Sequence, residues 1–356
     1  MPENFLSQDD EDLLKFIESA KPKIYVLGAG GSGSNTVARM TELNIDGATL
    51  IATNTDAAHL ARIRAHRKVL LGKKSTRGMG AGSDPKLGEE SAMESKEDVK
   101  HIISDAQLVF VTCGLGGGTG TGAAPVLAHE AREAGALTIG VTTLPFSGEG
   151  RIRMRNALEG LARLKRATDT TIIIPNDKLL SVAPDLPLNM AFKISDEVLA
   201  NATKGIVEMV TKPGMVNLDF ADLRGVLKDS GYAVIGIGES NSQTNDRAMV
   251  AIENTLKSPL LDADISTAKK ALVNIVGGED LTLREAQSIF QEVSSRISED
   301  ALLKWGARIE PSMQKSAIKL MVVMSGVEFP EYTEFGMMKK KHEEFEATAD
   351  LDKIFD

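Results

Sequence analysis

The stretch Cys113-Gly-Leu-Gly-Gly-Gly-Thr-Gly-Thr-Gly122 decides the interpretation of the whole chain, because it holds six glycines in nine positions. It follows the apolar run Leu108–Thr112, which is typical of a buried strand, and precedes a helical pattern over 123–134. A turn needs one or two glycines, and each further glycine costs roughly 0.5–1 kcal/mol in backbone entropy. The stretch therefore predicts a ligand lying close against the backbone, with the hydroxyls of Thr119 and Thr121 as additional hydrogen-bond donors.

A second glycine-rich loop, Gly28-Ala-Gly-Gly-Ser-Gly33, follows the apolar run Ile24–Leu27 and precedes another helical pattern. The N-terminus of a helix offers free N–H groups and a positive dipole end, both of which suit a phosphate. Two such loops, each at the end of a strand, indicate a polyphosphate held from two sides. No G-x-x-x-x-G-K-[ST] segment is present, which excludes the P-loop mechanism.

The spacing of the 28–33 glycines also fits a dinucleotide-binding turn, with Asp56 as the acid that binds the ribose. A nicotinamide-dependent oxidoreductase is therefore an alternative. It does not account for residues 113–122, and the five histidines are scattered without a supporting motif.

Strands that are apolar throughout alternate with helices up to residue 187, which predicts an α/β fold with a doubly wound parallel sheet. One of these helices is predicted over 89–104. A helical pattern over 188–211 would be about 35 Å long, and its length suggests a connector between two cores. The predicted organisation is an acidic helical extension (1–21), a nucleotide-binding domain (22–187), a central helix (188–212), a loop (213–222), a smaller α/β domain (223–328) and a charged tail (329–356).

Composition excludes several functional classes. The net charge of −9 and the aromatic content of 4% argue against a nucleic-acid binder, which needs a basic surface. The single cysteine, Cys113, permits neither an internal disulfide nor a zinc site with several cysteines, and it suits a reducing compartment. No apolar stretch approaches the roughly 18 residues of a membrane-spanning helix. We expect a cytoplasmic protein without direct membrane insertion.

The segment Gly-Gly-Gly-Thr-Gly-Thr-Gly resembles the signature of the tubulin/FtsZ family. Further segments that are similar to this family occur in the correct order over about residues 22–326. The resemblance implies a tubulin/FtsZ-like fold and a GTPase that binds GTP or GDP, with Mg²⁺ held mainly through the phosphates rather than by protein ligands. Trp305-Gly-Ala-Arg and the acidic leading helix look more like the archaeal members of the FtsZ branch.

The resemblance also assigns residues to nucleotide binding, loop by loop along the chain. Asp196 fits guanine, because a carboxylate accepts from N1–H and from the exocyclic amine. Phe192 either stacks on the base or belongs to the core of the helix. The assigned residues are Gly28, Gly30, Gly31, Ser32, Gly33 and Asn35; Asn54, Thr55 and Asp56; Gly80, Ala81 and Gly82; Gly114, Gly116, Gly117, Gly118, Thr119, Gly120, Thr121 and Gly122; Pro145, Glu149 and Arg153; and Asn176, Phe192 and Asp196.

The loop Asn217-Leu-Asp219-Phe-Ala-Asp222 follows the predicted central helix. Its residue types are typical of a helix N-cap with acids in the first turn. The resemblance implies a second role, in which Asn217, Asp219 and Asp222 enter the nucleotide pocket of a neighbouring subunit and the carboxylates polarise the attacking water. The residues themselves support half of this, because the glycine-loop domain offers no obvious water-activating base.

The partners that the resemblance implies are further copies of the chain, stacked head to tail, and a membrane-tethering division protein bound through the tail at mid-cell. Two alternatives within the superfamily stay open. One is a relative that has lost hydrolysis, against which Asp219 and Asp222 argue. The other is a filament protein for plasmid segregation or cell shape.

Overall fold

The computed structural model describes residues 21–182, 187–242, 246–258, 260–261 and 263–329. All but residue 21 of the predicted extension, and all but residue 329 of the predicted tail, lie outside these ranges. Within them, ten strands form one sheet. The strands are β1 (Ile24–Ala29), β2 (Ala48–Asn54), β3 (Arg67–Leu70), β4 (Leu108–Gly114), β5 (Leu137–Leu144), β6 (Thr170–Pro175), β7 (Gly231–Ser240), β8 (Lys270–Gly277), β9 (Leu302–Ile309) and β10 (Ile318–Ser325).

The first six strands are parallel and lie in the order β3-β2-β1-β4-β5-β6, which confirms the predicted doubly wound sheet. The chain moves outward from β1 to one side and from β4 to the other. The loops that follow these two neighbouring strands therefore separate and leave a crevice at the carboxyl edge of the sheet, where ligands of such folds bind. Both glycine-rich loops start at this edge.

The last four strands continue the same sheet. Residues 170–172 of β6 pair in parallel with residues 231–233 of β7, and β10 lies antiparallel between β7 and β8. Buried side chains form two clusters, one on each face of the sheet, and both clusters contain residues from either half of the chain. The length of the central helix suggested a connector between two cores; the β6–β7 pairing in addition joins the sheets of the two halves, so each face carries buried side chains from both.

The described helices cover the two faces of the sheet. They are α1 (Gly30–Glu42), α2 (Ala57–Arg62), α3 (Pro85–Glu94), α4 (Lys96–Ile102), α5 (Thr119–Glu133), α6 (Arg151–Ala167), α7 (Asn176–Val182), α8 (Leu188–Thr211), α9 (Phe220–Leu227), α10 (Arg247–Leu256) and α11 (Leu283–Arg296). The helix expected over 89–104 is two helices, since Asp84 caps an earlier start at Pro85 and Ser95, with φ −105° and ψ 8°, interrupts the run. The short helices α2 and α7 were not predicted, because six or seven residues carry little periodic signal.

Helix α8 has the predicted length and lies on one face of the sheet, buried through Leu199, Ile206 and Val207. Its Gly205 lies directly against the Met321 side chain of β10, so the helix contacts strands of both halves.

Phe329 was assigned to the tail but is 2% exposed and packs edge-to-face on Tyr232, with ring centroids 5.7 Å apart. The packed structure thus extends through this residue, because its ring completes the apolar cluster beside β7. Among the described helices, none combines the length and the hydropathy needed to cross a bilayer.

Candidate functional site

A cleft of about 350 Å³ opens at the carboxyl edge of the sheet, above the ends of β1, β4 and β5. This volume is within the range of about 300–1,000 Å³ that is usual for small-molecule sites. Fourteen of the predicted binding residues line it, together with Leu115, Thr143 and Ser195, which were not predicted. The fourteen are Gly31, Ser32, Asn35, Gly114, Gly117, Gly118, Thr119, Gly120, Pro145, Glu149, Arg153, Asn176, Phe192 and Asp196.

The two glycine-rich loops contact each other on the floor of the cleft. Gly30 has a φ of +75°, and a Cβ added there would lie 2.7 Å from the Gly120 nitrogen. Gly116 has a φ of +101°, which side-chain-bearing residues rarely adopt. By contrast, a Cβ added at Gly31 or Gly117 would meet no atom within 4 Å. The backbone therefore borders open space at these two positions, which fits a phosphate that approaches the peptide N–H groups.

Other predicted glycine-loop residues support the cleft from below and do not line it. Gly28 packs directly on the Gly33 carbonyl, and Gly122 packs on the Pro85 carbonyl, so a Cβ at either glycine would clash. The Thr121 hydroxyl was expected to donate to the ligand. It is buried instead and accepts a hydrogen bond from the Gly116 N–H at 2.8 Å, which fixes the shape of the loop.

The predicted residues 54–56 and 80–82 form a second layer beside the cleft. The Thr55 and Thr119 hydroxyls are hydrogen-bonded, 2.6 Å apart, and Gly80 N–H donates to the Thr55 carbonyl. A Cβ at Gly118 would lie 2.9 Å from the Ala81 Cβ. The carboxylate of Asp56 caps α2 by accepting from a backbone N–H, which differs from the ribose contact of the oxidoreductase alternative. Asn54 lies under the same turn, and a Cβ at Gly82 would face open space outside the cleft lining.

Asp196, in the third turn of α8, is one of two acidic residues that line the cleft. The Ser32 hydroxyl donates to its Oδ1 at 3.0 Å, and both this hydroxyl and the Asn35 amide act to lower the pKa of the carboxyl. Burial nevertheless raises the pKa of the Asp196 carboxyl to about 6. Below it, the Ser195 hydroxyl donates to the buried Asn176 Oδ1 at 2.8 Å. A desolvated carboxylate next to a fixed amide can recognise two adjacent N–H groups, as guanine presents them.

Phe192 is exposed in the cleft and does not belong to the core of α8. Its side chain is 39% exposed, and its ring packs edge-to-face on Phe146, with centroids 5.4 Å apart and planes at 81°. Of the two alternatives for this residue, membership of the helix core is wrong. Its position leaves a ring face available to a planar base.

Glu149 and Arg153 form one side wall of the cleft. They are 3.2 Å apart in an ion pair between neighbouring turns, and Glu149 also accepts from the Phe146 N–H at 2.8 Å. Thr143 lies next to this wall, near the end of β5. It could have been found from the sequence, because polar residues at the carboxyl ends of parallel strands tend to face the ligand.

The loop 213–222 does not reach this cleft, and none of Asn217, Asp219 and Asp222 lines it. The Gly214 N–H donates to Asn217 Oδ1 at 2.7 Å. Asp219 is the N-cap of α9, with the Asp222 N–H donating to Asp219 Oδ1 at 2.7 Å and the Asp219 N–H donating to Asp222 Oδ2 at 3.3 Å. The predicted N-cap with acids in the first turn is thus confirmed.

Asp222 has one further partner, Lys304 on β9, whose ammonium lies 2.9 Å from Asp222 Oδ1. This hydrogen bond lowers the pKa of the Asp222 carboxyl, so the group is ionised at neutral pH. Asn217 and Asp219 are exposed to solvent. The loop therefore presents two carboxylates on the outside of the molecule.

The length of α8 separates these carboxylates from the cleft. Thr211, the last residue of the helix, comes fifteen positions after Asp196, which corresponds to about 22 Å along the axis. The loop begins only after this point. One subunit therefore cannot bring Asp219 or Asp222 to its own cleft without dismantling the helix.

Models of known protein families match two parts of the chain. Residues 23–184 match the GTPase domain of the Tubulin/FtsZ family, and residues 231–328 match the C-terminal domain of the FtsZ family. The chain is 56% identical to the cell division protein FtsZ 1 of Pyrococcus abyssi, over 90% of this chain and 85% of that protein. It is 50% identical to the protein of the same name from Methanocaldococcus jannaschii, over 95% of this chain and 92% of that protein.

Solved structures show the same relationship. A structure of the empty FtsZ dimer from M. jannaschii superposes with a TM-score of 0.84 at 51% identity, covering 90% of this chain and 93% of that one. CetZ2 from Haloferax volcanii, solved as a protofilament with GTPγS, shares the fold at 22% identity, with a TM-score of 0.77 and coverage of 92% and 99%. The oxidoreductase alternative has no support in these comparisons. With the glycine-loop cleft at its predicted place in the sheet and archaeal relatives at this identity, the chain belongs to the tubulin/FtsZ family of GTPases, in its FtsZ branch.

Proposed function

We propose that subunits of this GTPase stack head to tail into filaments and that each active site is completed by two subunits. The supporting observation is the separation of the two halves of the site along α8, with the cleft at one end and the loop 213–222 at the other. A head-to-tail contact joins two different surfaces and does not close, so its repetition gives a filament. Each interface then contains one nucleotide.

In this proposal the phosphates lie against the two glycine-rich loops. Gly31 and Gly117 leave room for them, and the N-termini of α1 and α5 point backbone N–H groups and positive dipole ends at the same place. Asp196 accepts from guanine N1–H and the exocyclic amine, with Asn176 beside it. Phe192 contacts the base, and Glu149, Arg153 and Pro145 border the ribose.

Mg²⁺ is expected to bind mainly through the phosphates. In the described part of the chain, no cluster of three or more His, Cys, Asp or Glu side chains is arranged to hold a metal ion. When bound, the ion would neutralise phosphate charge during the reaction. The protein's own contribution is the ring of backbone N–H groups around the phosphates.

Hydrolysis is assigned to the loop of the adjacent subunit. Asp219 and Asp222 orient a water and accept its hydrogen bonds, and Asn217 holds the loop in shape. The water oxygen bonds to the γ-phosphorus while one of its protons passes to the carboxylate that holds it, the bond to the β–γ bridging oxygen breaks, and GDP and inorganic phosphate leave as the carboxyl returns its proton to solvent. The position of both carboxylates at the outside of the molecule supports this role, and the lowered pKa of Asp222 keeps that group ionised, with all its lone pairs available to a water.

In the cell, we propose that the filaments form a cytoplasmic division ring at mid-cell. This follows the cell division role that the names of the relatives print. The tail, now 330–356, is assigned to a membrane-tethering division protein, and the net charge of −9 argues against nucleic acid as a partner. The domain boundaries proposed from the sequence fit this scheme, with 22–187 binding GTP and 223–328 carrying the opposite contact surface.

A filament for plasmid segregation or cell shape is the second candidate function. A filament that follows DNA in the cell, in place of a ring at mid-cell, would favour this candidate.

Phosphate release from GTP, measured over a series of protein concentrations with Mg²⁺, tests the shared active site. We expect negligible activity per subunit at low concentration and a rise beyond a threshold, with light scattering rising at the same concentration. Activity per subunit that stays constant with concentration would refute a site completed in trans. Absence of turnover at every concentration would identify the chain as a relative that has lost hydrolysis.

A further inference from the structure

A chain of hydrogen bonds links the turn after β2 to Asn35, which lines the cleft together with the carboxylate of Asp196. The Asp56 N–H donates to Asn54 Oδ1 at 3.2 Å, Asn54 Nδ2 lies 3.1 Å from His59 Nδ1, and His59 Nε2 lies 3.1 Å from Asn35 Oδ1. Asn35 lines the same cleft as Asp196, and its amide favours the ionised form of that carboxyl by acting to lower its pKa. We propose that His59 is a positioning residue for guanine recognition, because it fixes the Asn35 amide that orients the Asp196 carboxylate.

The direction of every bond in this chain follows from its first member. A backbone N–H can only donate, so Asn54 Oδ1 is the acceptor and Asn54 Nδ2 must donate to His59 Nδ1. An imidazole nitrogen that accepts carries no proton, which places the proton of the neutral ring on Nε2. His59 Nε2 therefore donates to Asn35 Oδ1. This leaves Asn35 Nδ2 as the donor to Asp196, whose ionised form only accepts.

His59 is held in place independently of the nucleotide. Its backbone N–H donates to Asp56 Oδ1 at 2.9 Å as part of the cap of α2, and its side chain is half-buried. It does not line the cleft and is not among the residues that the sequence assigned to the site. Its effect on a ligand must therefore pass through Asn35, which does line the cleft.

The consequence for Asp196 is the loss of a fixed donor when His59 is removed. Without the His59 donor, the Asn35 amide is free to rotate and to present its oxygen to the carboxylate, which repels it. Asp196 then keeps the Ser32 hydroxyl as its described side-chain donor, at 3.0 Å. A carboxylate held from one side no longer faces two adjacent N–H groups of a base in a fixed geometry.

This inference rests on the proposed recognition of guanine by Asp196, and the experiment separates the two. Calorimetric titrations of the nucleotide-free full-length protein measure the Kd for GDP and for IDP, whose hypoxanthine base lacks the exocyclic amine. The variants are His59→Ala, His59→Gln, Asn35→Ala and Asp196→Ala. The control is His129→Ala, at an exposed histidine of α5. Thermal unfolding of each variant shows whether it is folded.

For His59→Ala we expect about five- to tenfold weaker GDP binding and a smaller IDP/GDP ratio of Kd values. His59→Gln should recover part of both, because an amide supplies one donor and one acceptor. His129→Ala should match the wild type. Should His59→Ala fail to fold, Asn35→Ala removes the same link and carries the test.

A purely structural role of His59 would lower the melting temperature but leave the IDP/GDP ratio unchanged in the folded variants. That result, together with loss of discrimination in Asp196→Ala, would overturn the role of His59 alone. Discrimination that survives in Asp196→Ala would refute the proposed base recognition, and the inference about His59 would fall with it.

Discussion

Replacement of Asp222 by asparagine is the most informative perturbation of the proposed mechanism, because it removes one charge and almost no volume. The carboxylate has two contacts within its own subunit, the Asp219 N–H at 3.3 Å and the Lys304 ammonium at 2.9 Å. An asparagine oxygen can keep one of them. Asp222→Asn should therefore fold and bind GTP as the wild type does.

The cost in stability should be small compared with the effect on turnover. The Lys304 side chain is 43% exposed and that of Asp222 is 25% exposed, and exposed ion pairs contribute about 0–1 kcal/mol. Loss of the reciprocal cap adds about 1 kcal/mol at most, since Asp219 itself is retained. General-base assistance, by contrast, contributes roughly 10²–10⁴-fold to a rate. We expect phosphate release to fall at least about 100-fold, which corresponds to about 2.7 kcal/mol in activation free energy.

The assay is phosphate release above the assembly threshold, with sedimentation of filaments and thermal unfolding measured on the same preparations. Asp229→Asn is the matched control, because Asp229 follows the same helix and is also ion-paired, with Arg132. The control should hydrolyse GTP at the wild-type rate. Turnover within about twofold of the wild type in Asp222→Asn filaments would refute the role of this carboxylate in catalysis.

Three further outcomes follow from the structure. The ionised Asp196 is the acceptor for the base, and burial raises its pKa to about 6. The GDP Kd should therefore be constant above about pH 7 and rise up to about tenfold per pH unit below pH 6. Titrations with Asp196→Asn as the reference separate this change from ionisation of the phosphates. Gly117→Ala has space for its methyl group and should keep the wild-type melting temperature but bind GDP weakly. Gly116→Ala, at a φ of +101°, should unfold at a lower temperature. Equal melting temperatures for the two variants would contradict this difference. Arg247→Met leaves Glu285 without its buried partner and should lower the free energy of unfolding by about 3 kcal/mol in urea titrations, and an unchanged value would show that the ion pair does not stabilise the fold.

Much of the site could be predicted from the sequence, because its main elements are local. Glycine clusters are visible without any structure, and so are the apolar runs before them that mark β1 and β4. A loop between a strand and a helix then has one obvious place in a parallel sheet. For the same reason the N-cap at Asp219 was predictable, since the capping residue and its partner lie three positions apart.

The residues that were misplaced or missed depend on contacts between distant segments. Gly28, Gly33, Thr121 and Gly122 resemble ligand contacts in sequence, yet they support the cleft from below. Their role depends on how closely α1 and α5 approach neighbouring backbone, which no periodicity encodes. Thr143 and Ser195 carry no motif and reach the cleft only because the ends of β5 and α8 meet there.

The sequence by itself therefore determined the class of fold, predicted a polyphosphate ligand and identified the N-cap in the loop 213–222. Glycine entropy, continuous apolar runs and capping are properties of neighbouring residues, and they act before any tertiary contact forms. Only the tertiary structure decided that both halves share one sheet, that His59 lies between Asn54 and Asn35, and that Asp196 and Asp222 lie at opposite ends of α8. These facts depend on strand pairing and side-chain contacts between residues far apart in the chain, where burial and geometry rather than local propensity select the arrangement.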